Sequence, residues 1–254
     1  MKTISSMMIA ALIALLSGCS TVQYKPIAAN ESFWQDRKPV IGIVADKMPQ
    51  ADAEMWGNQG LLDIAINRGV AATMITQLQT LNLDRAATIH KNMADALERR
   101  GFKVVRFDPI DSETVPEFKI EKDPEQYSWK DYRSYASKGI DQLLVVRVVK
   151  VGTTRTYYGF IPTGPPRATF AATGKLIDLK TNKLIWYDSV QPTAVVPEPW
   201  DQEPNFPNVS AAVMKNMAEG SAALERSMFA TRVSAPTAAT APAAAATPPT
   251  TAAK

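Results

Sequence analysis

The sequence predicts an α+β fold, an α/β sandwich built on one mixed sheet. Three observations predict it. An apolar run, a helix-periodic stretch and a second apolar run succeed one another over residues 39–107, the pattern of a parallel β-α-β unit. Three long strand-like segments follow over residues 141–195, the pattern of a C-terminal antiparallel three-stranded part. A last amphipathic segment, from residue 208 onward, reads as a closing helix.

The run Pro39-Val40-Ile41-Gly42-Ile43-Val44-Ala45 suits a strand covered on both faces, and Asp46 ends it. Within residues 52–83, Leu61, Leu62, Ile64, Ala65, Val70, Met74, Ile75 and Leu78 fall at helical spacing, with Gly69 as a break or close-packing point. Between Gly60 and Leu83 charge is confined to Asp63 and Arg68. A helix so widely apolar is expected to be buried; the alternative turns it toward a partner or a second copy. Residues 84–100 form the clearest helix. Asp84 is its expected cap, Ala86, Ile89, Met93, Ala96 and Leu97 are its inward stripe, and Arg99 and Arg100 suit its negative end. Gly101 supplies a left-handed stop, and Phe102-Lys103-Val104-Val105-Arg106-Phe107 follows as a strand parallel to the first.

Residues 110–129 are polar and read as loop, and residues 130–137 as a short helix stopped at Lys138-Gly139. The three long strands are expected over residues 141–156, 167–179 and 183–195, with residues 178–183 as the turn of a hairpin. A proline-rich loop, residues 196–207, leads to the last helix. Asn208 or Ser210 is its expected cap, and Val213, Met214, Met217, Ala218, Leu224 and Met228 form its buried stripe. Gly220 within it costs up to about 1 kcal/mol relative to alanine.

Around this domain, placed at residues 39–232, the ends differ in character. Residues 233–254 are almost entirely Ala, Thr and Pro and read as a disordered tail. Residues 19–38 are polar and aperiodic, a flexible tether reaching at most about 65 Å, in which Phe33 and Trp34 are expected to dock on the domain. Residues 1–18 carry Lys2 and then an apolar run over residues 7–16, too short for a permanent bilayer span and suited to a signal peptide.

Leu16-Ser17-Gly18-Cys19 resembles the lipobox of bacterial lipoproteins. The resemblance implies cleavage before Cys19 and lipidation of its sulfur and amino group with fatty acyl chains such as palmitate. Ser20, in place of Asp after the cysteine, implies a periplasm-facing position on the outer membrane of a Gram-negative cell. The plainer alternative is a cleaved secretory signal. Cys19 is the chain's single cysteine, so no internal disulfide is available.

A second resemblance is carried by Leu97-Glu98-Arg99-Arg100-Gly101-Phe102-Lys103-Val104-Val105, by Gly139-Ile140-Asp141-Gln142-Leu143-Leu144-Val145-Val146, and by the segment from Gly174 to Trp186 (GKLIDLKTNKLIW). With the element order, these resemble the periplasmic α/β domain shared by the penicillin-binding-protein activator lipoprotein, the curli-secretion lipoprotein and the amino-terminal domain of TolB. The resemblance implies an accessory or assembly role in a cell-envelope complex. Its alternatives are a pore- or secretion-related lipoprotein and an envelope hydrolase.

The chemistry-bearing residues are sparse. Net charge is +3 with both signs interspersed, so no nucleic-acid surface is expected. His90, the only histidine, lies mid-helix beside the Ile89/Met93 stripe with no Ser and Asp partners indicated, so a flanking surface role is expected rather than a general base, and no Cys/His metal site is available. Gly174-Lys175 lacks the remaining residues of a phosphate loop. Asp46 and Asp108 both end predicted parallel strands, where a carboxylate pair would serve glycoside hydrolysis, although turn and cap roles are commoner there. No cofactor, metal or catalytic residue is expected. Recognition is better served. Trp200 and Phe206 sit in a proline-stiffened loop, and Tyr157 and Tyr158 at a strand end; these four are the candidate partner-binding residues, unless the loop aromatics merely cover the sheet edge. The partners expected are the membrane, through the lipid anchor, and an envelope protein or a second copy. A membrane hairpin over residues 153–161 is disfavoured by Arg155 and by Pro162 at its end.

Overall fold

The structure is a computed structural model that describes residues 24–230; the signal segment 1–18, Cys19 and the tail 233–254 lie outside the described residues. An eight-stranded mixed sheet is organised on β4 (Gln142–Tyr158). Strand β1 (Val40–Ala45) lies parallel to β4 on one side and to β3 (Lys103–Arg106) on the other. The crossover from β1 to β3 carries the helices, as expected of a parallel pair. On its other side β4 pairs antiparallel with β6 (Arg167–Asp178), which pairs in turn with β7 (Leu184–Val190), while the two-residue β5 (Ile161–Pro162) folds back on the end of β4. The antiparallel three-stranded part and the closing helix α6 (Pro207–Phe229) are therefore present.

One strand was not expected. Residues 52–58 form β2 (Asp52–Asn58), parallel to the far end of β4, in the lane that β1 leaves after Ala45. Charge at Asp52 and Glu54 hides it from a hydrophobicity pattern; an edge strand tolerates such residues because one side of it meets water. Helices α2 (Leu61–Val70) and α3 (Ala72–Gln79) follow, divided at Ala71 just past Gly69. Other differences are local. The helix expected over residues 84–100 is two, α4 (Asp84–Ala87) and α5 (Ile89–Glu98), and Asp84 is not its cap: the Asn82 carboxamide oxygen accepts from the Asp84 N–H at 2.7 Å. The inward stripe Ala86, Ile89, Met93, Ala96 and Leu97 is buried as expected. Residues 133–138 form a 3-10 turn in place of the short helix. The last strand divides at Gln191-Pro192 into β7 and β8 (Thr193–Val195), since proline has no N–H for the ladder. Pro207 at the first turn of α6, after Phe206 in left-handed backbone, starts that helix without a side-chain cap from Asn208 or Ser210.

A bulge at Val149 decides which face each half of β4 presents. Val148 opposes Ala172 and Lys150 opposes Ala171, so Val149 is an extra residue. Before it Leu144, Val146 and Val148 face the helices; after it the odd residues do, beginning with Val151. The main core packs Ile41, Ile43, Leu144, Phe170, Leu176 and Trp186 against Ile89, Met93 and Leu97 of α5 and Val213, Met217 and Leu224 of α6. Gly220 is the point of closest approach, where a methyl group would overlap the Phe170 ring. On the opposite face of the near half, residues 110–138 cover Val44, Leu143, Val145 and Ile177.

The tether expected over residues 19–38 is held against the body from Tyr24 onward. Ile27 bridges to Tyr187, and α1 (Glu31–Gln35) buries Phe33, which stacks on Phe102 at 5.0 Å. Trp34 reaches Phe229 at the end of α6. Aromatic area of this kind offsets the ordering entropy that the segment's polar composition alone would not. No helix of the described residues is long and apolar enough to cross a membrane.

Candidate partner-binding cleft

The far half of the sheet, beyond the Val149 bulge, carries a cleft. Its floor is the helix-facing side of β2 and β4, through Ala53, Met55, Thr153, Arg155 and Tyr157. One wall is the α2–α3 junction, through Val70, Ala71 and Met74; the other is the 196–207 loop, through Trp200, Asp201, Glu203 and Phe206. The cavity between them is about 150 Å³.

The loop wall is fixed by short-range bonds. The Val196 N–H donates to the Pro166 carbonyl at 3.0 Å, the Phe206 N–H to the Gln202 carbonyl at 2.8 Å, and the Asn208 carboxamide to the Pro199 carbonyl at 2.9 Å. Arg155 braces the indole: its guanidinium lies 4.2 Å from the Trp200 ring centre, and its Nε donates to the Gly164 carbonyl at 2.8 Å. The helix wall is held less firmly. Asn67 is the one buried residue of α2, and its carboxamide donates to Gln59 at 2.8 Å and to the Gly159 carbonyl at 3.1 Å. The expectation that this stretch is buried holds for α3, where Leu78 is fully buried and Met74 and Ile75 pack against the core, and fails for α2: Leu61, Leu62 and Val70 are 90, 73 and 80 % exposed. The physical reason is its position, hung beyond the sheet edge with no second layer outside it.

Of the four aromatic candidates, Tyr157, Trp200 and Phe206 come together at the cleft. Phe206 is buried and serves as wall, whereas Trp200 is partly open. Tyr158 is not brought there. It follows Tyr157 in a strand, so it points to the opposite face, where it is exposed. Met55, Val70, Met74 and Arg155 are cleft residues that sequence reasoning missed. Only strand alternation from Thr153 through Tyr157 could have marked Arg155.

The two carboxylates considered for catalysis have separate surroundings. Asp46 is enclosed: it accepts from the Ser112 N–H and hydroxyl, from its neighbour Lys47 N–H, and from Arg147 Nε at 3.0 Å. Arg147 also reaches Glu113 at 2.8 Å, so Asp46 clamps the loop to β4. Asp108 is exposed. Beside this clamp, burial and the charges of Arg147 and Lys130 lower the Lys175 ammonium to about 8, with Asp46 opposing them. Burial and the Asp46 charge push the Tyr132 hydroxyl up. His90 is half-buried on α5, and burial and Lys91 push its imidazole down, which favours the neutral ring. Among the described residues no group of three His, Cys, Asp or Glu side chains could hold a metal ion.

No family model matches the sequence, and no curated protein matches it. Solved structures with some likeness include bacterial lipoproteins. Lipoprotein GNA1162 from Neisseria meningitidis is 16 % identical with a TM-score of 0.26, covering 71 % of this chain and 99 % of its own. The LpoB C-terminal domain from Salmonella enterica is 9 % identical with a TM-score of 0.21, covering 63 % and 90 %. A PelC dodecamer from Paraburkholderia phytofirmans is 12 % identical with a TM-score of 0.27, covering 72 % and 86 %. Likeness at this level says nothing about activity or partners.

Proposed function

We propose that this protein is a non-catalytic accessory or assembly subunit of a cell-envelope complex, held at the outer membrane through acyl chains on Cys19 and acting by binding another envelope protein. The observation that carries it is the apolar far end of the sheet. There Leu61 and Leu62 of α2 are 90 and 73 % exposed, and Tyr158, Phe160 and Ile161 are 68, 61 and 57 % exposed. Asn67 links the two groups through Gly159. Large apolar side chains left exposed together at one end of a folded protein support an interaction site there.

The anchored segment meets the body at the near end of the sheet, away from this apolar end. The Tyr24 ring lies 5.0 Å from Tyr187 and its hydroxyl donates to the Tyr127 carbonyl at 2.8 Å, beside Lys175, which is opposite Val145. From Cys19 to Tyr24 an extended chain spans about 17 Å at most. At about 3.3 Å per residue, β4 carries Tyr158 roughly 40 Å beyond Val145. The apolar end therefore lies farther from the point of attachment than the leash is long.

A photo-crosslinking residue at Leu62 in cells tests this. One reproducible envelope protein captured from Leu62, and lost in Cys19→Ser, is expected. Capture of nothing, or of lipid alone, would count decisively against the proposal.

A further inference from the structure

We infer that the cleft is a socket for one apolar side chain of a partner polypeptide flanked by lysine or arginine. The inference rests on the protein-binding role proposed above and names the chemistry of its partner. Cavity size sets the guest. A space of about 150 Å³ is the class in which an apolar cavity holds a benzene-sized molecule. It therefore suits the end of a phenylalanine or leucine side chain. Met55 in the floor and Met74 in the helix wall are unbranched and adjust to either shape.

Charge at the mouth sets the flanks. The 196–207 loop contains Glu198, Asp201 and Glu203 and no lysine or arginine. Asp201 and Glu203 line the cavity, and among the described residues neither makes an ion pair. Arg155, the only cation of the lining, is stacked on Trp200 and gives its Nε–H to the Gly164 carbonyl, against the three carboxylates Glu54, Asp201 and Glu203 in the same lining. An apolar anchor beside basic residues fits both features. An acidic segment would meet like charge, and an acyl chain would leave the carboxylates unused.

The test uses full-length protein in a neutral detergent, labelled at its methionine methyl groups, with the Met55 and Met74 signals followed by NMR. The probes are the blocked peptides Lys-Lys-Phe-Lys-Lys, Glu-Glu-Phe-Glu-Glu and Lys-Lys-Ser-Lys-Lys, and toluene. The Lys-Phe peptide is expected to shift both signals saturably, and the other two peptides to bind at least tenfold more weakly. Ala71→Phe, which fills the cavity, is expected to abolish the shifts. Asp201→Asn with Glu203→Gln, which leaves the packing intact, is expected to weaken the Lys-Phe peptide severalfold. Equal binding of all three peptides, binding of toluene alone, or an unchanged affinity in the double variant would overturn the inference. Crosslinking at Leu62 keeps the two failures apart: a partner captured there with no peptide in the cleft sinks only the socket.

Discussion

Asn182 ties the hairpin turn to the loop covering the back of the sheet, and its replacement is predicted to loosen the anchor segment as well as the fold. The residue is fully buried with φ of 63°. Its carboxamide donates to the Ser128 carbonyl at 2.8 Å and the Lys130 carbonyl at 3.0 Å, and accepts from the Tyr132 N–H at 3.2 Å. Asn182→Ala removes all three bonds and leaves three backbone groups unpaired, at about 1 kcal/mol or more each. Alanine in left-handed backbone adds about 1 kcal/mol. The expected loss is therefore about 4 kcal/mol, a large part of a typical domain's stability. Asn182→Gly loses the same bonds without the backbone penalty, so it is expected to be about 1 kcal/mol less damaging.

Urea denaturation of both variants measures the two losses, and hydrogen exchange locates them. Protection is expected to fall first at Ser128 and Tyr132. It is then expected to fall at Trp129, whose N–H donates to the Tyr24 hydroxyl at 3.1 Å. A loss below about 1.5 kcal/mol for Asn182→Ala, or a glycine variant less stable than the alanine one, would refute this account of the turn.

The remaining predictions concern packing and charge. Gly220→Ala sets two effects against each other: helix propensity favours alanine by about 1 kcal/mol, while overlap with Phe170 and Pro192 costs about 1–3 kcal/mol; net destabilisation in chemical denaturation is expected, and a stabilised variant would show the contact to be slack. Lys175→Met removes an ammonium whose pKa falls from 10.5 to about 8 on folding. Because the unfolded chain keeps that proton to higher pH, stability is expected to rise between pH 8 and 10.5 in the native protein, with the deficit fully present below 8. The Met variant should be more stable at pH 7 and lack that rise in thermal melts; parallel curves would contradict it. Phe33→Ala is expected to cost about 3 kcal/mol and to expose residues 24–36 to limited proteolysis, because the stack on Phe102 holds α1 down.

What was legible in the sequence was legible for local reasons. The stripe from Ala86 to Leu97, the stop at Gly101 and the 178–183 turn each depend on neighbours within a few residues, and all three appear. β2 was not legible, because its pairing with residues 152–158 is set by how far β4 extends, which no pattern within Asp52–Asn58 encodes. The fate of α2 was hidden for a deeper reason. Burial in a core and burial against a partner remove the same apolar area from water, so both select the same residues. Leu61, Leu62 and Val70 would look alike in either case, and only their place beyond the sheet edge separates the two.

The cleft is the intermediate case. Its lining comes from five separated stretches, near residues 54, 72, 155, 166 and 203, so no spacing rule could assemble it. Aromatic residues in a proline-rich loop still pointed to Trp200 and Phe206. One correction was available without a structure: once residues 142–158 are a strand, Tyr157 and Tyr158 must face opposite ways. Their separation puts the aromatic residues of the far end on two surfaces, a cleft on the helix side and an exposed tip outside it. A partner that seats a side chain in the first without touching the second should be insensitive to Tyr158→Ala and should lose binding in Ala71→Phe. Loss on Tyr158→Ala alone, measured with the same captured protein, would move the interface to the hairpin tip.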